Sequence, residues 1–520
     1  MNDTAYAFTA FYRTLTLLFL LVLVQACASV PFEYPREPST AIEATETTPL
    51  GLFAANWSAG NGEQSGFMSL PDGIDALGAR LRLIETAQQS IDAQYFILKK
   101  DRVGALFTGK LLRAADRGVR VRLLLDDIFS PGLDSPLSLL NSHPHIEVRL
   151  FNPVSRNSLR YWGMLLDFKR ANRRMHNKSF TADGSISIVG GRNIGEEYFE
   201  LKQDVKFDDF EVMTVGPAVT DIAAGFDAYW NSELAVPIEA FGKKVKPEQL
   251  ADWREYVNRE VASAEKGIYA PAVNTLKIKA AWEQGAGLSA APATVVIDNP
   301  AKLTGAVGDA ELATLAVDIG KRFDNAQSEI IIITPYFIPQ PAGVKMLSDI
   351  VDKGVRVIII TNSLASTNHV PVHSRYEKYR GKLLTKGVEF YEIRADRPGQ
   401  ESEWGFSPEN ITLHSKASVI DRKTIFVGSL NFDPRSILLN TEMGLFVESP
   451  TLGSRFTQSV LDALPESTFR VARDSDGKTR WYWEPPDGQQ HEVYTSEPLA
   501  SMGRRFMAML YKLVPIEGQL

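Results

Sequence analysis

His176, Lys178 and Asp183 stand in the spacing H-x-K-x4-D and are followed by Gly190, Gly191 and Asn193. The same spacing returns at His414, Lys416 and Asp421, followed by Gly428, Ser429 and Asn431. In a chain with only 7 histidines, two such motifs with matching tails are not an accident of composition. The residue types suit attack on a phosphodiester, whose negative charge repels nucleophiles. Such a site needs cations on the non-bridging oxygens and a nucleophile that is strong while neutral. Lysine supplies the first and imidazole the second. Along a strand, positions i and i+2 project to one face, so H-x-K presents an imidazole beside an ammonium. Two motifs brought together would surround one phosphate with a His pair and a Lys pair.

The elements that must position them also come twice. Residues 90–97 (SIDAQYFI) read as a strand, a helix follows from about Gly104, and Arg117-Gly118-Val119-Arg120-Val121 leads into a strand at 123–125. The counterparts are a strand at 329–338 (EIIIITPYFI), a helix from about Ala342, and Lys353-Gly354-Val355-Arg356-Val357 leading into 358–360. Gly118 precedes His176 by 58 residues and Gly354 precedes His414 by 60, so the chain carries an internal duplication with a period of about 240 residues. Alternating helices and nearly continuous apolar strands imply an α/β fold with a buried sheet in each half, the halves related by a pseudo-twofold axis. Helical patterns at 223–230 and 247–266 and no motif of its own mark the segment near 218–305 as a bridge. Residues 469–473 and 479–483 flank Asp474-Ser475-Asp476-Gly477-Lys478 as a hairpin. A last helix at about 501–513 places Phe506, Met509, Leu510 and Leu513 on one face. That face is expected to dock on the core, with a membrane-surface helix as the alternative.

The 520 residues are 44% apolar and 23% charged, an ordinary globular balance with room for two or more domains. A net charge of −7 and a pI of about 5.7 argue against a chain that coats nucleic acid. Cys27 is the sole cysteine, so an internal disulfide or a thiolate metal site is excluded. It follows Arg13, an apolar run at 17–24, and Gln25-Ala26, the layout of a secretory signal too short to span a bilayer comfortably. Val24-Gln25-Ala26-Cys27 resembles a bacterial lipobox, which makes Cys27 a lipidation site; a plain signal peptide or an uncleaved anchor is the alternative. Ala28 after the Cys points to the outer membrane with the body facing the periplasm. Residues 28–49 lack apolar periodicity and read as a flexible tether reaching up to roughly 70 Å. The expected organisation is 1–26 signal peptide, 27–50 lipidated Cys and tether, 51–230 first half, 231–305 bridge, 306–450 second half, and 451–520 C-terminal extension.

The paired motifs with their Gly-Gly/Ser-x-Asn tails resemble the phospholipase D superfamily over about residues 75–450. The resemblance implies two α-β-α sandwich halves with the active site at their interface. It also implies a covalent phosphohistidine mechanism, in which one His attacks phosphorus while the other protonates the departing alcohol and deprotonates the incoming one. Carried over, the catalytic set is His176, Lys178, Asp183, His414, Lys416 and Asp421, with His176 favoured as nucleophile and the two aspartates expected to buttress loops. Lys178, Lys416, Asn193 and Asn431 would hold phosphoryl oxygens. A carboxylate downstream of each motif would orient each ring: Glu442, 28 residues beyond His414, and in the first half Asp209, with Asp208 competing.

Wording closer to the motifs narrows the resemblance. RMHNKSF at 174–180, GGRNIGEEYF at 190–199, TNSLA at 361–365, SLNFDPRS at 429–436 and Asn440-Thr441-Glu442 are similar to the bacterial cardiolipin synthase C group. That group implies phosphatidyl transfer onto phosphatidylglycerol, with phosphatidylethanolamine as donor, at a membrane surface. Neither cofactor nor metal is expected, since two lysines can supply the positive charge. A helper protein from a neighbouring gene is left open. The alternatives are a phospholipase D-type hydrolase, a nuclease, which the acidic pI opposes, and a non-catalytic surface lipoprotein. His373, in a segment the group shares, would line the headgroup pocket or be an ordinary packed His. Lys169, Arg170, Arg173 and Arg174 would steer an anionic headgroup or form a solvated basic face.

Overall fold

The computed structural model describes residues 30–129, 132–156, 167–201, 206–242, 245–267, 270–273, 287–305, 314–396, 411–485 and 491–520. Cys27 and the apolar run before it lie outside these residues.

Each half contains three parallel strands: Ser90–Tyr95, Arg120–Asp126 and Ile146–Phe151 in the first, Glu329–Ile333, Arg356–Asn362 and Glu389–Ile393 in the second. Helices Arg102–Asp116 and Gln340–Asp352 make the crossovers. Asp101 starts the former, its side chain accepting from the Gly104 amide at 2.9 Å. Each crossover returns through a glycine with positive φ, Gly118 (94°) and Gly354 (90°), as a left-handed turn after a helix requires. Alternation then sorts the side chains. In Glu329–Ile333, Ile330 and Ile332 join the core with helices Thr314–Asp324 and Gln340–Asp352, while Ile331 and Ile333 pack with Leu464 of helix Pro450–Ser467 on the other face.

Antiparallel strands complete both sheets. The first runs Ser289–Ala291, Ser65–Leu70, Glu211–Val215, Ile186–Gly190, Ser179–Ala182, then the parallel three, then Ala235–Pro237. The second runs Ala293–Ile297, Met443–Glu448, Thr424–Gly428, Ala417–Ile420, then its parallel three, then Thr468–Arg473, Thr479–Trp483 and Glu492–Tyr494. In each half the strand after the motif, Ser179–Ala182 or Ala417–Ile420, lies antiparallel to the first parallel strand. A small core joins the halves, with Phe67, Val189, Val212 and Ile222 against Val427, Met443 and Leu445. Strand Lys206–Asp208 pairs in parallel with Ile411–Leu413 across the same boundary.

Three boundaries differ from the sequence reading. Residues 231–305 are not a separate bridge: Ala235–Pro237 and Ser289–Ala291 edge the first sheet and Ala293–Ile297 the second, so the chain changes halves at Pro292. The second half does not end at 450, because helix Pro450–Ser467 repeats the role of Pro217–Trp230, each starting at a proline just after an antiparallel strand. From residue 30 the expected flexible tether is a strap bonded to the first half. Arg149 and Arg122, both buried, donate to the carbonyls of Glu37 (2.6 Å) and Ser39 (2.9 Å), and the Ala41 amide donates to Asp227 at 2.8 Å. Buried guanidiniums need acceptors, and an extended prolyl strap has free carbonyls to offer. The expected hairpin and final helix are both present, the helix at Met502–Tyr511. Among the described residues no helix is long and apolar enough to cross a membrane.

Candidate active site

The two motifs meet at the boundary between the halves, and the backbone brings them there. The His176 amide donates to the Thr441 carbonyl at 2.9 Å, and the His414 amide donates to the Asp208 carbonyl at 2.7 Å. The histidines therefore stand in extended links just before their strands, paired with the opposite half instead of a sheet neighbour. In the second link Leu413, Ser415 and Ala417 line an apolar cavity of about 450 Å³, and His414 and Lys416 alternate with them on the other side. That cavity backs the motif and is not the reaction site.

Because Thr441 precedes Glu442 and Asp208 precedes Asp209, each carboxylate reaches the ring of the other half. His176 Nδ1 lies 2.8 Å from Glu442 Oε2, and His414 Nδ1 lies 2.5 Å from Asp209 Oδ2. This corrects the expectation that Glu442 serves His414 and Asp209 serves His176: the pairs are crossed. Asp208, the competing candidate, contributes its carbonyl. Ser429 holds Glu442 from its own half, donating its hydroxyl at 2.5 Å, whereas the equivalent Gly191 leaves room for Asp209, whose Oδ1 would stand 2.2 Å from a Cβ there. With Nδ1 given to a carboxylate, each ring leaves Nε2 for chemistry; at His414 that nitrogen has Lys416 Nζ 3.3 Å away.

Charge at the site is set by burial. Both rings are 7% exposed and both lysines 1%. Burial drives His176 to about 4 against the pull of Glu442, and His414 to about 4 with Lys416 adding to the effect. Burial also lowers Lys178 to about 7 and Lys416 to about 8. It would raise the two carboxyls, but the facing rings and lysines hold Asp209 and Glu442 below the ordinary carboxylate range. The site thus offers neutral imidazoles beside ionised acceptors. Lys178 Nζ donates to the His176 carbonyl at 2.6 Å, and Lys416 Nζ donates to that of His414 at 2.5 Å.

Lysine burial has a measurable cost. An unfolded chain holds the Lys178 proton up to its ordinary 10.5, so from about pH 7 to 10.5 the unfolded state binds more protons and stability rises with pH. Lys178→Met removes this penalty. We expect the rise of stability with pH between about 7 and 10.5 to flatten, together with loss of turnover; calorimetry at several pH values and a lipid assay on one preparation check both.

Asp183 and Asp421 do not reach the reaction centre. Each sits at positive φ (49° and 53°) and caps the first parallel strand of its half. Asp183 accepts from the amides of Gln88, Gln89 and Ser90, and Asp421 from those of Gln327, Ser328 and Glu329. Asp183→Ala should destabilise by about 2–4 kcal/mol through three orphaned amides, seen as a lower melting temperature, with activity per folded molecule retained.

The two asparagines differ. Asn193 is committed, its Oδ1 accepting from the Ile97 amide at 3.0 Å and its side chain bonding Tyr198. Asn431 is buried with Oδ1 unpartnered among the described residues and remains open to a ligand. The basic run is built into the structure: Arg174 is buried against Asp126 at 3.1 Å, and Arg173, also buried, donates to the Lys302 carbonyl at 2.7 Å. At these two positions it is neither a steering patch nor a solvated face, while Lys169 is exposed and Arg170 half-buried. His373 lies among Glu377, Glu497 and Tyr376, away from the motif residues, which corrects its assignment to the headgroup pocket. Its Nε2 and the two carboxylates are the one group with metal-ligating spacing among the described residues, but Lys512 and Arg380 already pair with those carboxylates.

Several positioning residues escaped the sequence reading. Phe207 stacks on His414 at 5.0 Å, Tyr198 meets its edge at 5.4 Å, and Phe96 meets the edge of His176 at 4.9 Å. Arg192 donates to the carbonyls of Asp209 and Tyr198, fixing carboxylate and aromatic together. Arg192 and Tyr198 lie within the family-like GGRNIGEEYF stretch, but which ring they serve depends on the fold.

Comparison with known proteins agrees with this geometry. Residues 81–230 and 319–462, one span in each half, match the family model described as "Cardiolipin synthase, PLD-like domain". Cardiolipin synthase C of Escherichia coli (strain K12) is 39% identical over 477 residues, covering 88% of this chain and 96% of that protein. A Staphylococcus aureus cardiolipin synthase is 27% identical over 403 residues, covering 76% and 67%. The phosphatidylserine synthase of Haemophilus influenzae Rd KW20 shares the fold, with a TM-score of 0.55 at 13% identity over 90% of this chain and 100% of that one. On these matches and its twin motifs, the chain belongs to the cardiolipin synthase, PLD-like domain family, an enzyme family of the phospholipase D superfamily.

Proposed function

We propose that this protein makes cardiolipin by transferring a phosphatidyl group from a second phospholipid, phosphatidylethanolamine, to a hydroxyl of phosphatidylglycerol. The observation that carries the reading is the crossed pair of buried imidazoles, each with Nδ1 on a carboxylate and a lysine two residues on. His176 Nε2 attacks phosphorus, forming a P–N bond as the P–O bond to ethanolamine breaks, and His414 gives the departing oxygen its proton. His414 then takes the proton of the phosphatidylglycerol hydroxyl as that oxygen displaces His176. The acid step needs a protonated His414. A phosphodiester anion about 4 Å away contributes roughly 4 kcal/mol at an effective dielectric of about 20, some three pK units. That lifts a ring from about 4 to near 7 when substrate arrives. Burial of both rings favours a lipid hydroxyl over water as the acceptor. The proposal includes a lipid anchor at Cys27, with the body on the periplasmic side of the outer membrane.

The test is mass spectrometry of products from mixed micelles of phosphatidylglycerol and phosphatidylethanolamine with EDTA present. Cardiolipin with free ethanolamine is the expected result. Phosphatidic acid alone would move the assignment to a hydrolase.

A further inference from the structure

Helix Met502–Tyr511 is amphipathic in the opposite sense to a docked helix. Its one buried residue is Ala508. Met502 (87% exposed), Phe506 (55%), Met509 (54%) and, just past the helix, Leu513 (81%) follow one another at i, i+4, i+7 and i+11, a single stripe facing solvent. The sequence reading favoured docking of this face on the core; the structure turns it outward. Ala508 packs with Leu364 and Ala500, and polar bonds fasten the rest: Arg375 donates to the carbonyls of Tyr511, Lys512 and Val514, and Arg504 donates to those of Leu364 and Thr367. A soluble protein gains nothing by holding such a stripe in water.

Its place in the fold says what covers it. Leu364 and Thr367 follow strand Arg356–Asn362 at its carboxyl end, and Asn362 bonds Leu413, the residue before His414. Residues 517–520 reach the flanks of both motifs, where Gln519 bonds Asn172, shortly before His176, and Arg435, shortly after Asn431. At the matching end of the first half, beyond Arg120–Asp126, stands the exposed Phe129, edge-on to Phe96, which in turn meets His176. Apolar side chains therefore flank the reaction centre on both sides. Arg504 and Arg505 add charge that is paired with no carboxylate among the described residues; both donate to backbone carbonyls.

We infer that this stripe is an interfacial anchor that seats the mouth of the active site on a bilayer containing anionic phospholipid. The inference rests on the phospholipid reading of the site. Met502, Phe506, Met509 and Leu513 enter the acyl boundary, and the exposed Arg505 meets lipid phosphates. Lipid then reaches the buried histidines without crossing water.

The test uses the full chain with Cys27→Ala, so that a lipid anchor does not contribute, and compares it with the same chain carrying Met502→Ser, Phe506→Ser and Leu513→Ser. Flotation with vesicles of phosphatidylglycerol and phosphatidylethanolamine should show binding weakened roughly tenfold or more by the triple change. The melting temperature should be unchanged, and turnover of monomeric dihexanoyl phosphatidylglycerol should stay within about twofold, because the stripe touches no reacting group. Arg505→Glu should weaken binding to these vesicles and not to phosphatidylcholine vesicles. Equal vesicle binding by the parent and the triple variant would overturn the inference. Stripe-dependent binding without turnover of either lipid form would leave the anchor standing and overturn the catalytic reading instead.

Discussion

His176→Ala and His414→Ala should each lower turnover by roughly a thousandfold or more, with unchanged far-UV circular dichroism and elution volume. Each ring is nearly enclosed but carries little of the packing. Removing it leaves one carboxylate bonded by Ser429 or by the Phe210 amide, so Glu442 and Asp209 are not orphaned. The variants differ in what they accumulate. A donor with a good leaving group, such as a p-nitrophenyl phosphodiester, needs no acid catalyst for the first step. With it, His414→Ala should build up a phosphoenzyme on His176, detectable by intact-protein mass, and His176→Ala should not. The reverse pattern would exchange the roles, and full activity in either variant would refute a shared site. In the wild type, kcat/KM should fall as pH rises through about 7 to 8, where Lys178 and Lys416 lose the charge that receives the phosphoryl oxygens.

Glu442→Gln should act on the ring of the other half. A neutral amide accepts from Nδ1–H more weakly than a carboxylate and, turned over, donates its NH2 to Nδ1, so the His176 ring is no longer held in the tautomer that leaves Nε2 for attack. We expect a fall of roughly 10² to 10⁴ in turnover. In nitrogen-15 histidine spectra the resonances of His176 should move and those of His414 stay, and Asp209→Asn should give the converse. Perturbation of His414 by Glu442→Gln would mean that each carboxylate serves its own half. Under the crossed arrangement neither half holds a complete histidine–carboxylate pair, which makes the domain boundary itself a condition of activity.

Sequence periodicity reports local geometry, and that is where the reading succeeded. The alternation at 329–333 and the R-G-V-R-V and K-G-V-R-V turns marked the parallel strands, because a strand's period and a glycine's left-handed turn belong to the residues that carry them. The doubled motif likewise marked the histidines and lysines that meet at the boundary between the halves. Pairings between distant segments left no such mark. His176 meets a carboxylate 266 positions away and His414 one 205 positions away. Nothing near 176 or 414 could say that the backbone of Thr441 or Asp208 would reach them first. The strap at 30–48 has too little apolar periodicity to signal packing, since buried arginines hold it through its carbonyls. The last helix announced its apolar face but not its direction. By itself the sequence determined the family, the duplication and the elements, which depend on residue type and short-range spacing. Only the tertiary structure decided which carboxylate orients which ring and which face of the last helix meets solvent, because both depend on surfaces that exist only once the two halves have closed on each other.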